Sequence, residues 1–112
     1  MELLTTIIST RKLVEKVNLE NDKIHFIPTM GNLHEGHLKL IKKAVEKKKI
    51  SIVSIYVNPS QFDDKKDYEN YPRTIEKDLE YCKRIGVNYV FLPNKLFTKN
   101  LESKFLELVK PI

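Results

Sequence analysis

The stretch Ile50–Val57 reads ISIVSIYV, an unbroken apolar and β-branched run that Asn58 and Pro59 end. Such a run is typical of a strand that is covered on both faces, as in a parallel sheet. Two similar segments flank it along the chain, Lys23–Pro28 (KIHFIP) before it and Val87–Leu92 (VNYVFL) after it. These three segments predict three strands of one parallel sheet.

Helical spacing fills the two intervals between these strands. Apolar residues recur every three or four positions from His37 to Lys48 and again from Tyr71 to Ile85, where Gly86 ends the pattern. The order strand–helix–strand–helix–strand predicts an α/β fold, a Rossmann-like parallel sheet with flanking helices. The inward stripe of the second helix is predicted to consist of Ile75, Leu79, Cys82 and Ile85.

The two ends of the chain have weaker patterns. Ser9 or Thr10 is expected to cap a first helix that runs to about Asn18. Its buried face is predicted to consist of Leu13 and Val17. Between residues 94 and 112, apolar residues at helical spacing predict a short amphipathic helix that packs on the sheet or on a partner.

The composition indicates one compact domain. Of the 112 residues, 41% are hydrophobic and 31% are charged, and no apolar run approaches the about 20 residues of a membrane helix. Glu2 stands where a secretory signal carries positive charge. A single cysteine, Cys82, excludes an internal disulfide and a cysteine zinc cluster. We therefore expect a cytoplasmic protein with no membrane partner.

The net charge of +5 comes from lysine. The densest cluster consists of Lys42, Lys43, Lys47, Lys48 and Lys49. Such a cluster can bind nucleic acid or form a solvated helix face. Arginine is scarce in this sequence, and no aromatic residue is interleaved with these lysines, so we expect a solvated face and no nucleic-acid partner.

Two loops follow the carboxyl ends of the first two predicted strands, where an open parallel sheet binds its ligands. The first runs from Pro28 to His37 (PTMGNLHEGH), and the second runs from Asn58 to Phe62 (NPSQF). Because neighbouring parallel strands end at one edge of the sheet, we expect both loops to face one crevice.

The first loop places two imidazoles, His34 and His37, at the entry to a helix. Free backbone N–H groups and the helix dipole favour a phosphate there, and Gly31 and Gly36 let the backbone approach it closely. Neutral imidazoles, each with one N–H aimed at the phosphate, would stabilise the charge that develops when a nucleotide α-phosphate is attacked.

Other interpretations of these histidines stay open on the residues alone. The pair can bind zinc, although no clear third ligand accompanies it, or it can be structural. His25 lies inside a strand and is expected to be structural, and Cys82 is expected to be a buried, inert thiol. No Gly-Lys-Ser/Thr follows the glycines, which excludes a Walker-type phosphate loop.

The second loop carries a candidate for binding a small hydroxy acid. The amide of Gln61 offers both a donor and an acceptor, which suits carboxylate and hydroxyl groups. Asn58 is expected to orient the loop through its own backbone. Just beyond, in YPRT, Tyr71 is a candidate pocket residue and Arg73 is expected to cap or brace the helix start.

Together these segments resemble one family. PTMGNLHEGHLKLI, SIYVNPSQF and YPRT with its following helix resemble pantothenate synthetases (pantoate–β-alanine ligases) over about residues 1–93. An HxGH signature alone is shared with the wider nucleotidyltransferase superfamily, whereas the three segments at this spacing are specific. Another HxGH nucleotidyltransferase, or a non-catalytic nucleotide-binding module, is the alternative.

The resemblance implies an ATP-dependent ligase of pantothenate biosynthesis. Pantoate would attack the α-phosphorus of ATP, which Mg²⁺ accompanies, and β-alanine would then displace AMP from the pantoyl adenylate. The implied ATP-binding residues are Met30, Gly31, Asn32, Leu33, His34, Glu35, Gly36 and His37, with His34 and His37 on the phosphates and His37 as proton donor. Pantoate and β-alanine are expected at Gln61, with Thr29, Met30, Asn58 and Tyr71 around them. Members of the family are usually cytoplasmic homodimers.

The chain departs from the family in its length. Members are more than twice as long and continue with RPGHF, GxKDxQQ and SSRN stretches and a C-terminal domain, none of which this sequence contains. Residues 1–93 are then expected to be the front part of the nucleotide-binding domain, with 94–112 as a tail. A three-stranded sheet with an unpaired edge predicts self-association. The absent groups are expected to lower catalysis by roughly several powers of ten.

Overall fold

Four strands form one fully parallel sheet in the computed structural model, which describes residues 1–20, 23–47 and 49–93. The strands are β1 (Glu2–Leu4), β2 (Ile24–Thr29), β3 (Ile50–Ile55) and β4 (Tyr89–Phe91), and their order in the sheet is β1-β4-β3-β2. The last three strands lie within or next to the segments that the sequence predicts. The predicted α/β, Rossmann-like fold class is confirmed.

Strand β1 was not predicted from the sequence. It pairs with β4 through Leu3 opposite Val90 and Leu4 opposite Phe91. Three residues are too few to show the alternation that identifies a strand. The expected three-stranded sheet is therefore wrong by one strand, and β1 and β2 are the edge strands of the described sheet. The predicted self-association stays a prediction.

Helix α1 (Ile7–Leu19) begins earlier than the sequence suggested. Its N-cap is Thr6, whose Oγ1 accepts a hydrogen bond from the backbone N–H of Ser9 at 3.1 Å. Thr10 is fully buried, and its hydroxyl donates to the carbonyl of Thr6 at 2.9 Å. The predicted cap at Ser9 or Thr10 is wrong because a threonine three residues upstream satisfies the free N–H groups first. The buried face consists of Thr10, Val14 and Val17, with Leu13 half-buried.

Helix α2 (Glu35–Glu46) follows β2 and begins two residues before the predicted start. Ile41 is fully buried in it, and Leu38 and Val45 pack beside the core as predicted. Lys42, Lys43 and Lys47 are exposed, Lys49 is half-buried, and Lys48 lies outside the described residues, so the expected solvated face stays a prediction.

The helix predicted over Tyr71–Ile85 is α4 (Ile75–Ile85), which begins four residues later, and a short helix that was not predicted, α3 (Lys65–Asn70), precedes it. Tyr71 has extended backbone angles, φ −60° and ψ 129°, because the ring of Pro72 disfavours a helical residue before it. The segment expected as a loop over Asn58–Asp67 contains a 3₁₀ turn (Pro59–Gln61) and the start of α3. Gly86 ends α4 in a left-handed conformation, as predicted.

Two apolar cores lie against the sheet. One contains residues of β3 together with α2 and α4, and the other contains residues of β3 together with α1. Along β3, Val53 belongs to the first core and Ile52 to the second, as expected from alternating side chains. A strand with apolar residues on both sides explains why ISIVSI shows no alternation.

Some expectations concern membranes or the end of the chain. Within the described ranges, no helix is long and apolar enough to cross a bilayer. The predictions for residues 94–112 lie outside the part of the chain that the structure describes.

Candidate functional site

The first loop is tied to the neighbouring strand where β2 ends. The hydroxyl of Thr29 donates to the carbonyl of Ser54 at 2.9 Å and accepts from the N–H of Gly31 at 3.1 Å. Gly31 (φ +75°) and Asn32 (φ +49°) are both left-handed, and these two residues turn the chain toward α2. A Cβ on Gly31 would lie 3.1 Å from a side-chain atom of Ile55, so the turn requires glycine for space as well as for conformation.

A buried acid that the sequence analysis did not select holds the next part of this loop. Asp78 of α4 is 1% exposed, and its carboxylate accepts from the N–H groups of Asn32 at 2.9 Å and Leu33 at 3.0 Å. The signal was present in the sequence, since Asp78 stands three residues after Ile75 and four before Cys82, inside the predicted apolar stripe. An acid at such a position needs buried partners.

The two histidines cap helix α2 reciprocally. His34 is the N-cap residue, and its Nδ1 accepts from the N–H of Gly36 at 3.1 Å. The Nδ1 of His37 accepts from the N–H of His34 at 3.2 Å. Their ring centroids are 4.0 Å apart. The structure therefore brings both predicted histidines together at the helix start, in the geometry that Ser and Glu have in a capping box.

These hydrogen bonds fix the tautomer of both rings. A nitrogen that accepts a hydrogen bond carries no proton, so in each neutral imidazole the proton is on Nε2. Burial first, and then the charge of His34, lowers the pKa of His37 below its usual 6.5, while Asp78 opposes the shift. His37 is therefore neutral at pH 7, with one N–H on Nε2.

Not all of the backbone N–H groups expected to receive a phosphate at the helix start are free, since those of His34 and Gly36 already have partners. The N–H groups of Gly31, Asn32, Leu33, His34 and Gly36 all donate to side chains within the chain. Since Nδ1 of each imidazole accepts one of these hydrogen bonds, Nε2–H is the donor that each ring can offer to a ligand.

In the second loop, Asn58 has the backbone role that was predicted. It is 7% exposed, and its Oδ1 accepts from the N–H of Ser60 at 3.0 Å and from its hydroxyl at 2.8 Å. This contact caps the 3₁₀ turn, which Gln61 ends. The side chain of Gln61 is exposed, and its binding role stays a prediction.

Arg73 braces the end of α3 rather than the start of α4. Its guanidinium donates to the carbonyls of Tyr68, Glu69 and Tyr71 at 2.9 to 3.2 Å and lies 5.1 Å from the centre of the Tyr68 ring. Phe62 contacts the rings of both tyrosines edge-on, at 5.6 Å. The expected brace is confirmed in kind, although it acts on the preceding helix.

A cleft of about 410 Å³ opens between these elements at the carboxyl ends of the strands. Its walls include Met30, Gly31 and Asn32 of the first loop, Val57 after β3, and Asp78. Tyr68 lines it in place of the expected Tyr71, and of the described residues neither the two histidines nor Gln61 forms part of its wall. Both loops follow the same edge of the sheet, but only the first lines this cleft and none of residues 58–62 does, so the expectation that both loops face one crevice is not confirmed.

Two smaller expectations are also tested by the structure. Cys82 is fully buried, and burial, with a smaller effect of Asp78, raises the pKa of its thiol to about 11, which confirms an inert thiol. His25 lies half-buried in β2, opposite Ser51 of β3, in agreement with a structural residue.

The fold and this loop define a class of protein: an α/β domain of Rossmann-like type with a histidine-capped helix after strand β2. The profile of the family described as pantoate-beta-alanine ligase matches residues 2–107. The chain belongs to the pantoate–β-alanine ligase family.

Individual relatives agree with this assignment. A pantothenate synthetase of Nitrosococcus oceani is 43% identical over 105 residues, which cover 92% of this chain and 37% of the relative. One of Clostridium botulinum is 45% identical over 105 residues, covering 88% and 37%. This chain therefore spans somewhat more than a third of the length of the curated relatives that it matches.

Solved structures show the same fold. The pantoate-beta-alanine ligase of Francisella tularensis, complexed with beta-gamma ATP and beta-alanine, has a TM-score of 0.77 and 38% identity over 83% of this chain and 35% of that chain. The enzyme of Thermus thermophilus has a TM-score of 0.73 and 35% identity over 84% and 32%.

Proposed function

We propose that this chain supplies the phosphate-binding and pantoate-binding part of a pantoate–β-alanine ligase. In the proposed reaction the pantoate carboxylate attacks the α-phosphorus of ATP, which releases pyrophosphate and gives pantoyl adenylate. The amine of β-alanine then attacks the acyl carbon, and AMP leaves with pantothenate as the product. The observation that carries the proposal is the reciprocal histidine cap, in a chain whose family is shown.

Each imidazole has a defined task in this proposal. The Nε2–H groups of His34 and His37 donate to the phosphate oxygens and stabilise the negative charge that grows when the α-phosphorus is attacked. Rings with centroids 4.0 Å apart can reach neighbouring oxygens of one phosphate chain. His37 is the proton donor, and Met30, Gly31, Asn32, Leu33, Glu35 and Gly36 complete the nucleotide loop.

Pantoate is proposed to bind beside this loop. Its carboxylate and hydroxyl groups suit the amide of Gln61, and its two methyl groups suit apolar walls such as those of Met30 and Val57. Thr29, Asn58 and Tyr71 are placed around pantoate and β-alanine. The Francisella tularensis structure, complexed with beta-gamma ATP and beta-alanine, supports ATP and β-alanine as ligands of this site.

Magnesium is proposed to enter with ATP. In residues 1–20, 23–47 and 49–93 no three His, Cys, Asp or Glu side chains converge as metal ligands. The described residues thus fit a cation that is held by nucleotide oxygens and water, as is usual for Mg²⁺. A cytoplasmic location and a homodimer are proposed for the whole protein on the basis of the family.

Titration calorimetry tests the proposal. The chain should bind MgATP and pantoate, Gln61→Ala should abolish only the pantoate signal, and His34→Ala should weaken only ATP. Leu40→Ala, at an exposed position of α2, is the control and should change neither. Binding of ATP without pantoate would favour another nucleotidyltransferase or a non-catalytic module. Absence of both signals would overturn the proposal.

A further inference from the structure

Within residues 1–20, 23–47 and 49–93, Asp78 is the most deeply buried charged side chain that the proposed chemistry does not use. It is 1% exposed, and three groups donate to its carboxylate: the N–H of Asn32, the N–H of Leu33 and the hydroxyl of Thr74. Both of its oxygens therefore have partners, which offsets the cost of burying the group.

The direction of these bonds is informative. Two consecutive N–H groups of the loop point inward to α4, although they stand just before a helix start that faces the proposed phosphates. A carboxylate behind a phosphate site is electrostatically unfavourable for an anionic ligand, so attraction of that ligand does not explain it. The carboxylate does supply one acceptor oxygen for each of the two adjacent N–H groups.

The contact also spans two elements that are distant along the chain. Gly31 and Asn32 are left-handed, and a Cβ on Gly31 would lie 3.1 Å from Oδ2 of Asp78. The carboxylate thus packs directly against the turn. His34 follows Leu33 directly and is the N-cap of α2, so the orientation of the turn sets the position of the His34 backbone, from which the imidazole extends.

We propose that Asp78 is a positioning residue for the two histidines that contact the phosphates. It acts by accepting hydrogen bonds from the N–H groups of Asn32 and Leu33, which fixes the turn of residues 31–33. This inference depends on the proposed function for its ligand, ATP. Thr74, the N-cap residue of the same helix, supports the carboxylate with its hydroxyl, which lies 3.2 Å from both oxygens. In this proposal Asp78 acts through the turn rather than by contact with the phosphates.

Asp78→Asn tests the proposal, because an amide offers one acceptor oxygen where two N–H groups need one each. One N–H is left unpaired in a buried place, and we expect MgATP to bind roughly tenfold more weakly or worse at temperatures where circular dichroism shows a folded chain. The amide resonances of Asn32 and Leu33 should shift. Asp64→Asn is the matched control, since Asp64 caps α3 by accepting from Lys66 N–H at 2.8 Å and asparagine caps equally well.

A second measurement uses the unchanged chain. The amides of Asn32 and Leu33 should be protected from hydrogen exchange without ligand, and protection should persist with MgATP because these N–H groups serve Asp78. A folded Asp78→Asn variant with ATP affinity within twofold of the parent would overturn the proposal. So would rapid exchange at both amides, which can be measured even where the variant does not fold. Failure of the parent chain to bind ATP would instead overturn the proposed function, while the exchange data would still report on the anchor.

Discussion

The Nδ1 atom of His34 lies 3.1 Å from the backbone nitrogen of Gly36 and would lie 3.3 Å from a Cβ on that residue. The Cε1 atom of the ring would be closer still, at 3.0 Å. The absence of a side chain at position 36 thus gives the imidazole room to lie across the helix start. Gly36 thus makes room for the imidazole of His34, whereas Gly31 allows the left-handed turn.

Gly36→Ala should weaken MgATP binding without unfolding the chain. Alanine favours a helix by roughly 0.5 to 1 kcal/mol over glycine, which offsets a weakened cap of similar size. The free energy of unfolding should therefore change by less than about 1 kcal/mol. Calorimetry should show loss of ATP affinity because the imidazole of His34 is displaced. Unchanged affinity would mean that the ring can move without consequence for the phosphates.

His34→Asn separates capping from phosphate binding. Asparagine caps a helix well, so the variant should keep its stability, whereas His34→Ala should lose about 1 kcal/mol in urea denaturation. Both substitutions remove the Nε2–H donor, so both should lower ATP affinity alike. If His34→Asn bound ATP as the parent chain does, the imidazole would be a cap only.

The sequence predicted well where a pattern is long. The runs of β2 and β3 and the periodic part of α2 have enough residues for their hydrophobic spacing to identify them. Strand β1 has three residues and lacks that signal, and its place in the sheet depends on pairing with β4, which is about 85 residues away. The later start of α4 could have been predicted in part from Pro72, since a residue before proline is rarely helical, which excludes Tyr71 from the helix.

The place of the two histidines at a helix start was predictable, and the hydrogen bonds around them were less so. The positions of His34 and His37 at a helix start follow from the strand, the glycines and the apolar spacing after them. Sequence alone could not show that side chains accept the loop N–H groups, because Asp78 comes from another helix, 46 residues beyond Asn32. Its polar character within an apolar stripe was the available clue.

Cys82 should resist alkylation in the folded chain. Burial raises the pKa of its thiol from 9.0 to about 11, so the thiolate fraction near pH 8 falls about 100-fold, and the sulfur is also inaccessible. Iodoacetamide labelling followed by mass spectrometry should be slow in buffer and rapid in concentrated urea. Rapid labelling under native conditions would show that α4 opens readily from the sheet.

Stability should fall as the pH is lowered through the range just below 6.5, in part because of His37. Burial and the charge of His34 lower its pKa in the folded chain, whereas the unfolded chain titrates near 6.5. Between these two values the unfolded state binds more protons, so acid favours unfolding; the loss begins near 6.5 and is complete below the folded pKa. His25, whose pKa is lowered by burial and then by Lys49 and Lys47, acts in the same direction.

Urea midpoints of the parent and of His37→Asn, measured from pH 8 to pH 5, isolate the contribution of His37 because the carboxylates and His25 are common to both. The parent should lose more stability than the variant over this range, since asparagine accepts the N–H of His34 at every pH. An equal loss in both chains would show that the reciprocal cap does not depend on the neutral ring of His37.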